Sequence, residues 1–281
     1  MGWLEKWEGG LYQPVVMVIV LVLCAIPYIM PLGLPIPIGE DARTMYRDIE
    51  ALPEGSIVLL HGPTGPSSYG DVGYGFEAFF AHLMRSNMRV VIFSPSSVAA
   101  PMYTYALNRI KDVMQDKVYG EDYAYYGFII NAETEWSIIA NDFKGWQNND
   151  YYGTPITEVP LLNEINDIND FDAIVATFFG TINAEGCVRQ VGSVYTNGNI
   201  YILAGGAVYP YAKAYSPEPF KSVLFSLRGS AEYEYLLRRP RRAIVSMDSQ
   251  SIMLTLFAVL GITGNILGYT LKQRKIKGGL N

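Results

Sequence analysis

Cysteine and histidine are nearly missing, with two of each in 281 residues. Two widely separated cysteines, Cys24 and Cys187, make neither a disulfide framework nor a cysteine-rich zinc site. Two histidines exclude a His-rich metal centre, so neither metal nor cofactor is expected. Charge is also scarce. Charged residues make up 17% of the chain, against about 25% in soluble domains. Apolar residues reach 50%, which excludes a disordered chain. A net charge of −6 argues against nonspecific nucleic-acid binding. The P-loop, the dinucleotide GxGxxG, the calcium loop and the Gly-x-Ser-x-Gly elbow are all absent. There is no Asn-x-Ser/Thr acceptor, internal repeat or low-complexity block.

Long apolar sequence is present at both ends. No charge occurs between Glu8 and Glu40. Leu11 to Pro31 has the roughly 20 residues that cross a bilayer. A cleaved signal would have a basic start and small residues at the cut. This start sets Lys6 against Glu5 and Glu8, and Leu23 before Cys24 spoils a lipobox, so an uncleaved span is expected. Pro27 would kink it near its end. A second uncharged run, Ile252 to Leu271, stops at Lys272, Arg274, Lys275 and Lys277. Its Gly261, Gly264 and Gly268 share a face, which lets another helix approach closely, and Asn265 should face protein. Packing on the first span is the expected use of that face, with oligomerisation the alternative.

Two spans leave both termini on one side, and the basic tail reads as cytoplasmic. The middle domain is then extracytoplasmic, in the plasma membrane. Arg238, Arg239, Arg241 and Arg242 argue the opposite orientation, but long domains translocate largely regardless of charge. The expected division is a tail over 1–10, a span over 11–31, an extended linker over 32–48, an α/β domain over 49–238, a juxtamembrane segment over 239–251, a span over 252–271 and a basic tail over 272–281.

Between residues 40 and 250 acidic residues outnumber basic ones, 25 to 16, and such an acidic, tyrosine-rich domain is expected to bind neither DNA nor anionic headgroups. Apolar runs at 56–61, 89–93, 126–130, 172–177, 200–203 and 222–226 read as buried strands. Helical patterns fall at 71–86, 101–118, 183–195 and 230–238. In the first, Phe76, Phe79, Phe80 and Leu83 form one face; in the second, Tyr105, Ile110, Val113 and Met114 are candidate core positions. Continuous apolar strands alternating with helices predict an α/β fold, a mostly parallel, Rossmann-like three-layer sheet flanked by two transmembrane helices.

Such sheets bind ligands beyond the carboxyl ends of their strands. The candidate ligand-binding residues there are His61, Thr64, Ser96, Glu133, Arg228 and Glu232. His61 and Thr64 belong to a glycine-rich loop after the first strand. Ser96 lies in a serine cluster, Ser94 to Ser97, after the second. Glu133 and Glu135, two apart, would share a face of an extended segment, although two solvated charges is the simpler reading. His82, inside a helix, reads as a satisfied helical residue. In Leu227-Arg-Gly-Ser, Ser230 would cap the last helix and Gly229 would permit a sharp turn. Arg228 then either clamps a carboxylate or pairs with Glu232. No catalytic residue is assigned.

Several stretches carry a resemblance: 49–59 (IEALPEGSIVL), 152–162 (YGTPITEVPLL), 188–192 (VRQVG), 227–234 (LRGSAEYE) and 247–251 (MDSQS). In these the chain resembles a family of anchored membrane proteins of unknown function with an N-terminal span, an α/β domain and a C-terminal span. The resemblance implies that architecture and no particular chemistry. The expected function is a membrane-tethered binding or scaffolding module, with the lipid bilayer and a membrane protein or a second copy as partners. The alternative is an anchored hydrolase or transferase using His61, the serine cluster or Arg228.

Overall fold

The computed structural model describes residues 12–129 and 131–278. The expected tail over 1–10, the start of the first span at Leu11, the end of the expected third strand at Ile130 and residues 279–281 lie outside them. Two compact units emerge, one of residues 36–244 and one joining the chain up to 35 with residues from 245 onward.

In the first unit, α2 (Glu40–Glu50) leads to β1 (Ile57–His61), α3 (Tyr74–Arg85), β2 (Arg89–Ser94), α4 (Ala100–Arg109), β3 (Tyr123–Phe128) and α5 (Ala132–Asn141). Then follow α6 (Pro160–Glu164), β4 (Ala173–Phe178), α7 (Thr181–Gln190), β5 (Ile200–Ala204), α8 (Tyr209–Ala214), β6 (Ser222–Phe225) and α9 (Ser226–Leu236). All six strands are parallel, in the order β3-β2-β1-β4-β5-β6. Side chains alternate across the sheet. Leu59, Ile174 and Ile202 pack under α5 and α7, while Val58, Leu60, Val175 and Leu203 pack under α2, α3 and α9. Both faces are covered, which is why the strands read as unbroken apolar runs.

Several expected boundaries need correction. The linker is not extended to 48, because α2 begins at Glu40. Its acidic first turn, Glu40 and Asp41, and the apolar stripe Ala42, Met45 and Ile49 are ordinary helix signals. The helix expected over 101–118 stops at Arg109, whose carbonyl accepts from the Arg241 guanidinium. Beyond it Ile110 is buried, but Tyr105 is 41% exposed and no core residue. The third strand starts at Tyr123, three residues early, where tyrosines replaced aliphatic residues.

The last helix starts at Ser226 rather than Ser230. Asp71 caps it from another element, accepting from the Ser226 hydroxyl and the Leu227 N–H. Ser230 Oγ instead donates to Ser226 O at 3.1 Å. Gly229 is therefore no turn glycine. A Cβ there would lie 2.7 Å from Leu224 Cβ, so its role is close approach of helix to strand.

In the second unit, α1 is Tyr12–Ile29 and the apolar part of α10 (Arg242–Gly278) runs from Arg242 to Thr270. Among the described residues α10 is the one helix long and apolar enough to cross a bilayer, and the run Pro14–Ile29 in α1 is shorter. Asp248 accepts from the N–H groups of Leu32, Gly33 and Leu34 at 2.9–3.1 Å. Ser249 Oγ donates to Cys24 O. Among the described residues a Cβ at Gly261, Gly264 or Gly268 would meet open space, which leaves that face free for the oligomerisation alternative, and Asn265 Nδ2 bonds Gly261 O of its own helix at 2.8 Å.

Candidate functional site

The strand order reverses between β1 and β4, and a crevice at such a reversal is where parallel sheets bind ligands. β1 delivers His61 there. Being two residues from Leu59, His61 faces α5. Its carbonyl accepts from Thr177 Oγ1 at 3.2 Å, and the next residue, Gly62, donates its N–H to Phe93 O at 2.7 Å. The imidazole is fully buried, stacked on Trp136 at 4.7 Å between centroids and edge-on to Phe178 at 5.8 Å.

The partner of His61 is Glu135, equally buried, with Oε1 3.1 Å from Nε2. The separation suits an ion pair, but the groups are not aligned for a hydrogen bond. Both ring nitrogens, both carboxylate oxygens and Trp136 Nε1 lack a hydrogen-bond partner among the described residues. Buried polar groups are rarely left so. Cys187 on α7 lies within electrostatic reach. Burial first, and then the charge of Glu135, pushes its thiol well above the ordinary range, so it is no nucleophile.

Glu133 and Glu135 stand on a helix, not on extended chain. Two residues advance a helix by about 200°, so the two carboxylates diverge. Glu133 turns outward to Arg189 at 2.5 Å and Gln190 at 2.6 Å, which hold its carboxyl below the usual range. Asn131 starts this helix by accepting from Glu133 N–H at 3.0 Å.

The remaining expected residues do not join His61. Thr64 is buried and accepts from Ser68 Oγ at 2.6 Å. Ser96 is half-buried at the start of the short turn Ser97–Ala99. Arg228 Nε donates to Glu232 Oε1 at 2.8 Å, and Glu232 Oε2 accepts from Gly39 N–H at 3.0 Å. Two residues further, buried Glu234 accepts from the N–H groups of Arg241, Ala243 and Ile244 at 2.8–3.1 Å. The acidic pair of the 227–234 motif thus fastens the chain where it enters the α/β unit and where it leaves.

Along the carboxyl edge, among exposed polar residues such as Ser67, Ser97 and Asn131, stand four large apolar side chains. Val98 follows β2, Phe179 and Ile182 follow β4, and Phe225 ends β6; each is between 44% and 57% exposed. The opposite edge is polar. There His82 is bonded to Glu50 Oε1 at 2.8 Å and Tyr233 OH at 2.7 Å, and its ring lies on Tyr46 at 4.9 Å. Burial holds His82 below its ordinary range, opposed by Glu50. This group was visible in sequence only as a helical histidine.

No protein-family model, curated protein or solved structure matches this chain.

Proposed function

We propose that the chain is a membrane-tethered, Rossmann-like binding module that docks a membrane protein partner on the carboxyl edge of its sheet. The observation that carries this is the exposed row Val98, Phe179, Ile182 and Phe225 where such a sheet presents its ligand edge. From β2 to β6 the row covers roughly 19 Å at about 4.8 Å per strand. The charged candidates nearby, Glu133, Arg228 and Glu232, are already held in ion pairs.

A photo-cross-linking residue at Ile182 is expected to trap one membrane partner in native membranes. The double variant Phe179→Glu, Ile182→Glu should lose that capture while stability stays within about 0.5 kcal/mol, as for exposed positions. Capture undiminished by both charges would sink the reading, and trapping of a second copy would replace the partner with self-association.

The reading includes two spans in the plasma membrane, an extracytoplasmic α/β unit and cytoplasmic termini. The length of the apolar run in α10 and the four basic residues after Leu271 support it. A cysteine introduced at Gly279 should stay unlabelled by an impermeant thiol reagent on intact cells. Labelling without permeabilisation would reverse the orientation.

A second reading, an anchored hydrolase or transferase, draws on the unpartnered His61–Glu135 pair, which has the composition of a general acid–base couple. Reaction with substrate would require the loop after β1 to open, and His61→Gln would then abolish turnover without abolishing partner capture.

A further inference from the structure

At the amino ends of β1 and β2 two cavities, of about 330 and 650 Å³, share Tyr46, Arg85 and Leu237 and form one cleft. The larger part brings Arg85 from the end of α3 together with Arg238 and Arg239 from the loop after α9. Asp112 is the acidic residue of that part, and it is already shared by Arg239 and by Arg241, the latter at 2.9 Å. Arg85 has one long bond, to Leu237 O at 3.4 Å. The Arg238 side chain has no hydrogen bond or ion pair among the described residues. Nη1 of Arg239 is buried without a partner. Burial, followed by the positive charges of Arg241 and Arg85, disfavours the charged form of Arg239, opposed by Asp112. Arg238 itself sits at φ 52, an uncommon backbone conformation for a side chain of this size.

Guanidiniums crowded against one another repel unless an anion lies between them. The smaller part also carries Glu50, bonded to His82, and Glu54, so the positive charge is confined to the larger part, where three arginines face the one carboxylate of Asp112. Three planar forks around one space match the oxygens of a phosphate group. The competing account is structural: arginines at the ends of α3 and α9 answer the negative ends of two helix dipoles. That account explains Arg85 on Leu237 O but leaves Arg238 and the buried Nη1 of Arg239 without a role.

We propose that Arg85, Arg238 and Arg239 form a binding site for a phosphate-type anion, either inorganic phosphate or the phosphomonoester headgroup of a lipid. Chain connectivity favours the lipid. Arg239 precedes by three residues the start of α10, the helix long and apolar enough to enter a bilayer. The site lies at the edge opposite the partner row and does not depend on it.

The test uses the full chain in nanodiscs of phosphatidylcholine, in phosphate-free buffer. One arm titrates inorganic phosphate by calorimetry; the other replaces a tenth of the lipid with phosphatidic acid and follows the melting temperature. Saturable binding in either arm is expected, weakened at least tenfold by Arg238→Gln and further by Arg85→Gln. Heat from phosphate alone would identify the soluble anion. A melting shift from phosphatidic acid that phosphate does not reproduce would identify the headgroup. Arg238→Gln removes no hydrogen bond or ion pair of the folded chain, so its fold provides the control if Arg85→Gln is unstable. Absence of saturation in both arms, or binding unchanged in Arg238→Gln, would overturn the site.

Discussion

Trp136→Ala is expected to lower the unfolding free energy by about 3–5 kcal/mol, the range for truncating a large buried aromatic. The indole is fully buried, and its ring lies 4.7 Å from that of His61 and 5.9 Å from that of Phe178. Its removal leaves a void beside two ionisable groups that have no hydrogen-bond partner. The half-exposed Trp146 provides the contrast, since Trp146→Ala should cost no more than about 0.5 kcal/mol. Urea unfolding of the full chain in detergent measures both. A loss below about 1 kcal/mol for Trp136→Ala would mean that the surroundings of His61 and Glu135 already admit water.

Stability should also fall as pH rises from about 5 to 8 through Glu234. Burial pushes this carboxyl up to about 7, and the N–H groups of Ile244, Ala243 and Arg241 only partly oppose it. The folded chain therefore holds the proton more tightly than the unfolded chain does. The stabilisation is complete below the ordinary carboxyl range near 4.5 and is lost as pH passes about 7. At roughly 1.4 kcal/mol per unit the swing is about 3 kcal/mol. Glu77 adds to it by raising Glu234 with its own charge, while His82, held low by burial, works in the opposite direction below its ordinary range. Comparison with Glu234→Gln isolates the group. Relative to wild type, the variant should gain stability between about pH 5 and 7 and level off above that in melting experiments. A constant difference would mean that the three N–H donors keep Glu234 ionised throughout.

The sheet was legible because its strands are short and apolar on both faces, as a doubly covered parallel sheet requires. β3 was placed late because Tyr123 and Tyr125 interrupt the aliphatic pattern, although Tyr125 is fully buried with its hydroxyl on Ser94 Oγ at 3.1 Å. Helix ends were least legible where a distant side chain decides them. α4 stops where Arg241 takes the Arg109 carbonyl, and α9 starts where Asp71 receives it. His61 at a strand end was readable from the apolar run before it. Glu135 was not, because the short segment 131–141 carries no strong helical stripe, and only as a helix does it turn Glu135 inward. The arginines at 238–242 were visible as charge, but the cleft exists only once the fold brings Arg85 to them.

Assembly order follows from the strand order. β1 pairs with β2 on one edge and with β4 on the other, and Val58 meets Ala173 across about 115 residues of chain. At roughly 5–20 residues synthesised per second, β4 emerges about 6–23 s after β1. During that interval β1, β2 and β3 can pair, but the second edge of β1 remains open. That edge carries Val58, Leu59 and Leu60, all buried in the finished molecule, and an unpaired apolar edge is a template for strand addition by another chain. Chains in which β4 has not yet emerged on the side where the unit folds should therefore engage holding chaperones most strongly, and the vulnerability should end once β4 pairs with β1.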